Sequence, residues 1–265
     1  MLDLRLVRNV GYNEFVSNHF DRDPFQIYGD SRELALVQIR RHKREATKSI
    51  LDLGLGTGDL LLALHDLFPG ATLSGIDASH KMIDAAAIKF KDSGKETISV
   101  LHDDVHHMGR HVDANSVDLL TMHFLMNYIE PQKVCSEALK VLKPGGLFSI
   151  MTGTEESFAT LRVLAGNLWS EEIIRSETRT IENAGALKKL LTDAGFRIVD
   201  DEMLIKKISF KDVQSLKDFS FHAGWCTSKF LFDLSDDQLK MYEEFAQAFL
   251  PIDDTVNVAI ILAEK

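Results

Sequence analysis

The sequence predicts an α/β protein built around a largely parallel sheet. Between residues 48 and 152, short apolar runs alternate with segments of helical periodicity. The apolar runs are nearly continuous, which is typical of strands that are covered on both faces. A glycine-rich turn follows the first run and opens a helix. Strict alternation of this kind indicates parallel strands joined by crossover helices.

Each element of this region has its own signal in the sequence. Ser79 is suited to cap the second helix, and Pro131 is favoured in the first turn of the third. The segment Lys143-Pro144-Gly145-Gly146 stops that third helix. The predicted strands are Ser49–Leu53, Ala71–Ile76, Ile98–His102, Val117–Met122 and Leu147–Met151, and the predicted helices are Asp59–Leu67, Ser79–Lys91 and Pro131–Leu142.

Further elements flank this core on both sides. A helix is predicted at Ser31–Glu45, after an aromatic-rich N-terminal stretch. Two connections are too long for plain turns, and the second carries nine aromatic residues. We therefore divide the chain into an N-terminal helical cap at 1–45 and a core at 46–265, with cap insertions at 153–182 and 206–250. The remaining predicted elements are the helix Asn183–Ala194 and the strands Arg197–Ile205 and Asn257–Leu262.

Composition excludes several classes of protein. The 265 residues carry a formal net charge of −10, which disfavours a large nucleic-acid surface. The one basic run, Arg40–Arg44, is interpreted as a solvated helix face. Neither Cys135 nor Cys226 belongs to a CxxC pair, and no apolar stretch approaches the ~20 residues of a membrane helix. With no signal-peptide pattern at the N-terminus, we expect a cytoplasmic protein that does not contact a membrane.

The glycine turn itself distinguishes between possible ligands. Gly54, Gly56 and Gly58 follow Asp52, but Asp59 occupies a position where a dinucleotide fingerprint requires Gly or Ala. No lysine for a phosphate loop lies between residues 49 and 80. The Asp52 carboxylate would repel a pyrophosphate and attract a cation. S-adenosylmethionine (SAM) carries an ammonium and a sulfonium but no phosphate, so the turn favours SAM.

Polar side chains also follow the next three strands. Asp77 ends the second strand, Asp103 and Asp104 follow the third, and His123 follows the fourth. Open α/β sheets bind ligands at the carboxyl ends of their strands, where these residues would meet. An acidic residue about 20 positions after the glycines is suited to accept both ribose hydroxyl protons.

Four segments together resemble the class I SAM-dependent methyltransferases: Asp52–Gly58, Asp77, Asp103-Asp104 and Lys143–Gly146. The resemblance extends in detail over roughly residues 46 to 152. It implies a Rossmann-like, seven-stranded, mostly parallel sheet with an antiparallel last strand and a helical cap. It also implies methyl transfer from SAM, with S-adenosylhomocysteine as the product.

The same resemblance implies a role for each site position. The glycine turn would hold the methionine part of SAM, and the later strand ends would hold the adenosine. The positions are Asp52, Gly54, Gly56 and Gly58 for the methionine part, Asp77 and Ala78 for the ribose, Met82, Asp103 and the Asp104 backbone for the adenine, and His123 for the sulfonium.

His123 is also the best candidate for a base or an orienting group, while a purely structural role stays equally open. His222 is a weaker candidate. The histidines at 102, 106, 107 and 111 match no zinc spacing, so no metal is predicted. If the acceptor is a carboxylate, Arg162 and Arg175 are candidates to pair with it.

The aromatic insertion is expected to cover the strand ends and to present an apolar wall to the substrate. We therefore predict O- or N-methylation of a small, apolar or acyl-like acceptor, free or carrier-bound. The cap layout is similar to that of quinone methyltransferases and of the carrier-protein ester methyltransferases of biotin synthesis. An RNA or protein methyltransferase and a non-catalytic SAM-binding protein remain the alternatives.

Overall fold

The computed structural model of the chain describes residues 12–13, 16–17, 19–42, 47–168, 180–222 and 235–265. The helices and strands are α1 (Ile27–Arg41), β1 (Ser49–Leu53), α2 (Asp59–Leu67), β2 (Thr72–Asp77), α3 (His80–Asp92), β3 (Ser99–His102), β4 (Val117–His123), α4 (Pro131–Val141), β5 (Leu142–Gly153), α5 (Ala159–Leu168), α6 (Ala184–Ala194), β6 (Arg197–Phe210), α7 (Val213–Lys217), α8 (Asp236–Phe249) and β7 (Ile252–Glu264). Short 3₁₀ turns lie at Phe20–Arg22, Val105–Arg110 and Met126–Tyr128, and a π-helical turn lies at Asp218–His222.

These strands form one seven-stranded sheet in the order β3-β2-β1-β4-β5-β7-β6. β1 to β5 pair in parallel, and β7 runs antiparallel to both β5 and β6. The predicted Rossmann-like sheet with an antiparallel last strand is therefore confirmed.

The sheet has an apolar layer on each face, which explains the continuous apolar runs. Ile50 of β1 packs with Leu61 of α2 and Phe90 of α3 on one face. The next residue, Leu51, packs on the opposite face in a cluster that includes Ala138 of α4. Neighbouring residues of a strand point to opposite faces of the sheet. When helices cover both faces, both residues must therefore be apolar.

Several predicted boundaries are wrong, and two of them bear on the cap. α1 begins at Ile27 rather than Ser31, because the Asp23 carboxylate accepts the Ile27 and Gly29 backbone N–H groups at 2.8 and 3.0 Å and caps the helix. The insertion predicted at 206–250 leaves the sheet only after Phe210, because residues 206–210 continue β6 and pair with residues 252–256 of β7.

The described part of the insertion packs against the N-terminal segment, and together they form a separate apolar core. The ring centroids of Phe25, Phe210 and Phe219 lie 5.2 to 5.4 Å apart. These residues share an apolar cluster with Met151, at the carboxyl end of β5. The cap is thereby anchored beside the strand ends.

Among the described residues, no helix combines the length and the apolar character needed to cross a bilayer.

Gly58, which precedes α2, gives a test of how the glycine turn is packed. It lies at φ +85°, and a Cβ there would come within 2.5 Å of the Phe90 ring. We expect Gly58→Ala to lower the free energy of unfolding by about 2–4 kcal/mol, because backbone strain and steric overlap add. Urea denaturation measures this loss.

Gly94 supplies the matched control. It lies at φ +67°, and a Cβ at this position would have no atom within 4 Å. Gly94→Ala should therefore cost only the backbone strain, about 1 kcal/mol. Equal losses in the two variants would contradict the packing described for Gly58.

Candidate active site

The Asp77 carboxylate joins the glycine turn to the end of β2. Its Oδ2 accepts the Gly56 N–H at 2.9 Å, and its Oδ1 accepts the Ser79 N–H at 2.8 Å. Burial raises the pKa of Asp77, and these N–H donors partly offset that rise. An ionised carboxylate offers about four acceptor positions, so Asp77 keeps capacity for ligand hydroxyl groups.

Two cavities, each of about 170 Å³, meet at this end of the sheet. The first, the loop cavity, lies over the glycine turn and is also lined by Asp52, Arg32 and Met151. The second, the strand-end cavity, lies over β2 and β3. Both are lined by Phe20, Tyr28, Gly54, Gly56, His123 and Phe124.

Nine of the ten predicted site residues line these cavities. Asp52, Gly54, Gly56 and Gly58 line the loop cavity, while Asp77, Ala78, Met82 and Asp104 line the strand-end cavity, and His123 lines both. The tenth, Asp103, lines neither cavity.

Asp103 is instead engaged by two histidines of the turn that follows. Its carboxylate contacts His107 Nδ1 at 2.9 Å and His111 Nε2 at 2.8 Å. These hydrogen bonds hold the pKa of Asp103 well below its usual range. The next residue, Asp104, lines the strand-end cavity, so the predicted carboxylate contact of Asp103 is not supported by its position.

Asp52 is a buried carboxylate at the floor of the loop cavity. It is 3% exposed, and the Thr121 hydroxyl donates to its Oδ1 at 2.6 Å. Within the described part of the chain it forms no ion pair. Burial raises the pKa of Asp52 to about 7, with a smaller contribution from the charge of Asp77. A cation placed in this cavity would therefore find a carboxylate that ionises readily in its presence.

Arg32 brings a positive charge to the same cavity. It projects from α1, and its Nη1 lies 3.2 Å from Asp59 Oδ2. No signal in the sequence points to Arg32, because its approach depends on how α1 docks. Arg162, one of the predicted arginines, is exposed on α5 and lines neither cavity, and Arg175 lies outside the described residues.

His123 lies at the junction of the cavities as a neutral ring. Its Nε2 lies 3.0 Å from the Ser149 hydroxyl oxygen on β5. Burial, with a smaller contribution from the charge of Arg32, lowers its pKa to about 3. A group with so low a pKa is a weak base near neutrality, which favours an orienting role for His123 over general-base catalysis. The side chain of His222, the weaker candidate, lies outside the described residues.

An aromatic wall, formed by Phe20, Tyr28 and Phe124, closes the junction. Tyr28 lies 4.8 Å from each of the other two rings, centroid to centroid. Phe124 takes a left-handed backbone, φ +55°, while its N–H donates to the Met151 carbonyl at 2.7 Å. The wall was predicted on the insertion 206–250, but no described insertion residue lines either cavity. Phe20 and Tyr28 of the N-terminal segment, with Phe124 after β4, supply it instead.

Polar contacts fix this N-terminal segment over the site. Asp21 accepts from the Thr57 hydroxyl at 2.6 Å and from Lys89 Nζ at 2.8 Å. Asn13 Oδ1 accepts from the Ser79 hydroxyl at 2.6 Å. These three contacts reach elements at or beside the cavities, so they hold the segment against the edge of the site.

Within the described chain, no group of three or more His, Cys, Asp or Glu residues is placed to hold a metal ion.

Comparisons with known proteins agree with this geometry. Residues 50–146 match the methyltransferase domain family. A demethylmenaquinone methyltransferase of Lactococcus lactis is 28% identical over 173 residues, 57% of this chain and 67% of that protein. A malonyl-[acyl-carrier protein] O-methyltransferase of Halalkalibacterium halodurans is 27% identical over 55% of this chain and 57% of that protein.

A third relative covers more of the chain. A tRNA N(3)-methylcytidine methyltransferase of Drosophila melanogaster is 23% identical over 80% of this chain and 67% of that protein. Among solved structures, the YcgJ protein of Bacillus subtilis superposes with a TM-score of 0.61 at 17% identity, over 89% of this chain and 98% of that one. Phosphoethanolamine N-methyltransferase 2 of Haemonchus contortus, solved with S-adenosylhomocysteine, gives 0.53 at 18% identity, over 88% and 52%.

The sheet order, the glycine turn and the matched domain together support a class I SAM-dependent methyltransferase.

The protonation state of His123 can be measured directly. Because its pKa is lowered to about 3, its imidazole NMR signals should not shift between pH 8 and pH 5. A shift with a midpoint between pH 6 and 7 would contradict the burial described. His123→Gln identifies the signals.

The same pKa has a consequence for stability. A folded-state pKa below the ordinary 6.5 means that the neutral ring stabilises the fold above about pH 6.5, and that this contribution is lost as pH falls towards 3. His123→Gln should therefore reduce the acid sensitivity of unfolding in that window.

Proposed function

We propose that SAM spans both cavities, with its adenosine in the strand-end cavity and its methionine part in the loop cavity. The observation that carries the proposal is that three strand-end carboxylates, those of Asp52, Asp77 and Asp104, line two cavities that meet at His123. Asp77 would accept from the ribose hydroxyls and Asp104 from the adenine amino group. Met82 would pack beside the adenine.

The charges of the loop cavity fit the methionine end. Asp52 would bind the α-ammonium group, and Arg32 the α-carboxylate. Bound there, SAM supplies an electrophilic methyl group and a neutral thioether leaving group. The neutral state of His123 suits a position beside a sulfonium, because a protonated imidazole would repel it.

The chain's own part in the reaction is to align the acceptor and to exclude water. The aromatic wall of Phe20, Tyr28 and Phe124 supplies an apolar, rigid surface at the junction. Since His123 is a poor base, we propose an acceptor that ionises by itself, such as a carboxylate or an acidic phenol. O-methylation of a small apolar or acyl-like molecule, free or carrier-bound, follows from that choice.

Methylation of RNA remains a second candidate function, favoured by the length of the match to the tRNA methyltransferase. The net charge of −10 and the closure of the cavities by the N-terminal segment argue for the small acceptor. A cytoplasmic location stays a prediction.

Transfer from labelled SAM tests the acceptor class. The protein should methylate an acidic phenol or a malonyl-loaded carrier protein, and not total tRNA. If only tRNA is labelled, RNA replaces the proposed acceptor. If the protein binds SAM but labels none of the three substrates, the proposed transfer reaction is contradicted.

Asp77→Ala tests the adenosine site. We expect at least a tenfold loss of affinity for S-adenosylhomocysteine in titration calorimetry, because a carboxylate that accepts from hydroxyls is removed. Asp66→Asn is the control, since Asp66 is an exposed carboxylate of α2 that pairs with Lys95. A folded Asp77→Ala protein with unchanged affinity would refute the assignment.

Asp52 predicts a pH dependence of SAM binding. With a pKa of about 7 in the ligand-free protein, Asp52 ionises as pH rises, so affinity should increase from pH 5 to pH 7 by at most about tenfold per unit. The sign for stability is opposite: the raised pKa makes the ligand-free fold less stable as pH rises from about 4 to 7. Asp52→Asn, which removes only the charge, should flatten the binding profile; a profile unchanged by this substitution would exclude Asp52 as its source.

A further inference from the structure

A histidine beside the strand-end cavity holds the Asp104 carboxylate. His106 lies in the 3₁₀ turn that follows β3, and its Nδ1 lies 2.5 Å from Asp104 Oδ1. The same oxygen accepts the His106 backbone N–H at 3.0 Å. Two contacts from one residue thus fix Asp104 Oδ1, and both residues line the cavity.

The other side of the His106 ring determines its tautomer. The Glu130 backbone N–H donates to His106 Nε2 at 3.1 Å. A backbone N–H can only donate, so Nε2 must carry the lone pair and Nδ1 the proton. His106 is therefore a neutral ring that donates to Asp104 and accepts from Glu130.

These two hydrogen bonds connect two walls of the cavity. Asp104 and Val105 form the wall after β3, whereas Tyr128 and Ile129, just before Glu130, form the wall after β4. The ring spans the gap between these walls, so the position of the carboxylate depends on the loop after β4 as well as on its own strand.

We infer that His106 is a positioning residue that holds Asp104 for recognition of the 6-amino group of adenine. The inference rests on the proposed SAM site. An amino group donates to a carboxylate, whereas the carbonyl oxygen that replaces it in hypoxanthine is repelled. Fixing the carboxylate should therefore sharpen the choice of adenine over hypoxanthine, because a fixed acceptor cannot turn away.

Two substitutions separate the two ring nitrogens. Asn at 106 places an N–H donor near the Nδ1 position and keeps the contact with Asp104. Gln at 106 reaches the Nε2 position and keeps an acceptor for Glu130, but it loses the donor to Asp104. The measurement is the ratio of the Kd values of S-inosylhomocysteine and S-adenosylhomocysteine, by titration calorimetry.

The wild-type protein should favour the adenosyl ligand at least tenfold. His106→Asn should keep that ratio within about threefold, and His106→Gln should lower it about tenfold, as should Asp104→Asn. His107→Asn is the matched control, because His107 lies in the same turn but contacts Asp103; it should leave the ratio unchanged. Equal ratios in the Asn and Gln variants at 106, or a Gln variant with the wild-type ratio, would overturn the inference.

Nitrogen NMR of the wild-type protein gives an answer even if a variant fails to fold. The His106 signals should be those of the tautomer protonated at Nδ1, and the Nε2-protonated form would overturn the inference. A wild-type protein that binds neither ligand would instead refute the proposed SAM site, so the two failures are distinguishable.

Discussion

The whole site depends on one carboxylate that holds two backbone segments at a fixed separation. Asp77 accepts N–H groups from Gly56 of the glycine turn and from Ser79, which caps α3. The first segment borders the loop cavity and the second the strand-end cavity. A short side chain at the end of β2 thus sets the distance between two ligand-binding walls, and burial strengthens its hydrogen bonds because water cannot compete for them.

The second constraint comes from outside the sheet. The turn at Phe20–Arg22 and helix α1 bring Phe20, Tyr28 and Arg32 to the cavities. The sheet provides the acidic half of the site, and the N-terminal segment provides two of the three rings of the aromatic wall and the positive charge. This division suits a ligand that has both charged and apolar parts, because each part meets a surface of matching character.

Much of the sheet and of the acidic half could be predicted from the sequence. Asp52 and Asp77 follow apolar strands in a parallel sheet, so their shared edge follows from topology alone. Asp103 and Asp104 show the limit, because strand patterning does not tell which of two adjacent acidic residues after β3 lines the cavity. In the structure, His107 and His111 engage Asp103, whereas His106 engages Asp104, the one that lines the strand-end cavity.

The positions of Arg32 and Tyr28 could not be predicted for a different reason. They depend on how α1 packs against strands far along the chain, as in the contact of Gln38 with the Ile260 carbonyl. The long insertion holds more aromatic residues than the N-terminal segment, which made it the more obvious wall. Its described rings instead pack into their own core, around Phe210 and Phe219.

The contacts of Asp21 and Asn13 affect the rate at which a bound ligand can be released. Where the N-terminal segment covers a bound ligand, opening of those contacts widens the exit, so the escape rate should rise when they are lost. The hydrogen bonds are few and lie partly at the surface, which makes such opening far less costly than unfolding the sheet. If SAM binds as proposed, release of the spent cofactor would thus depend in part on residues that take no part in the chemistry.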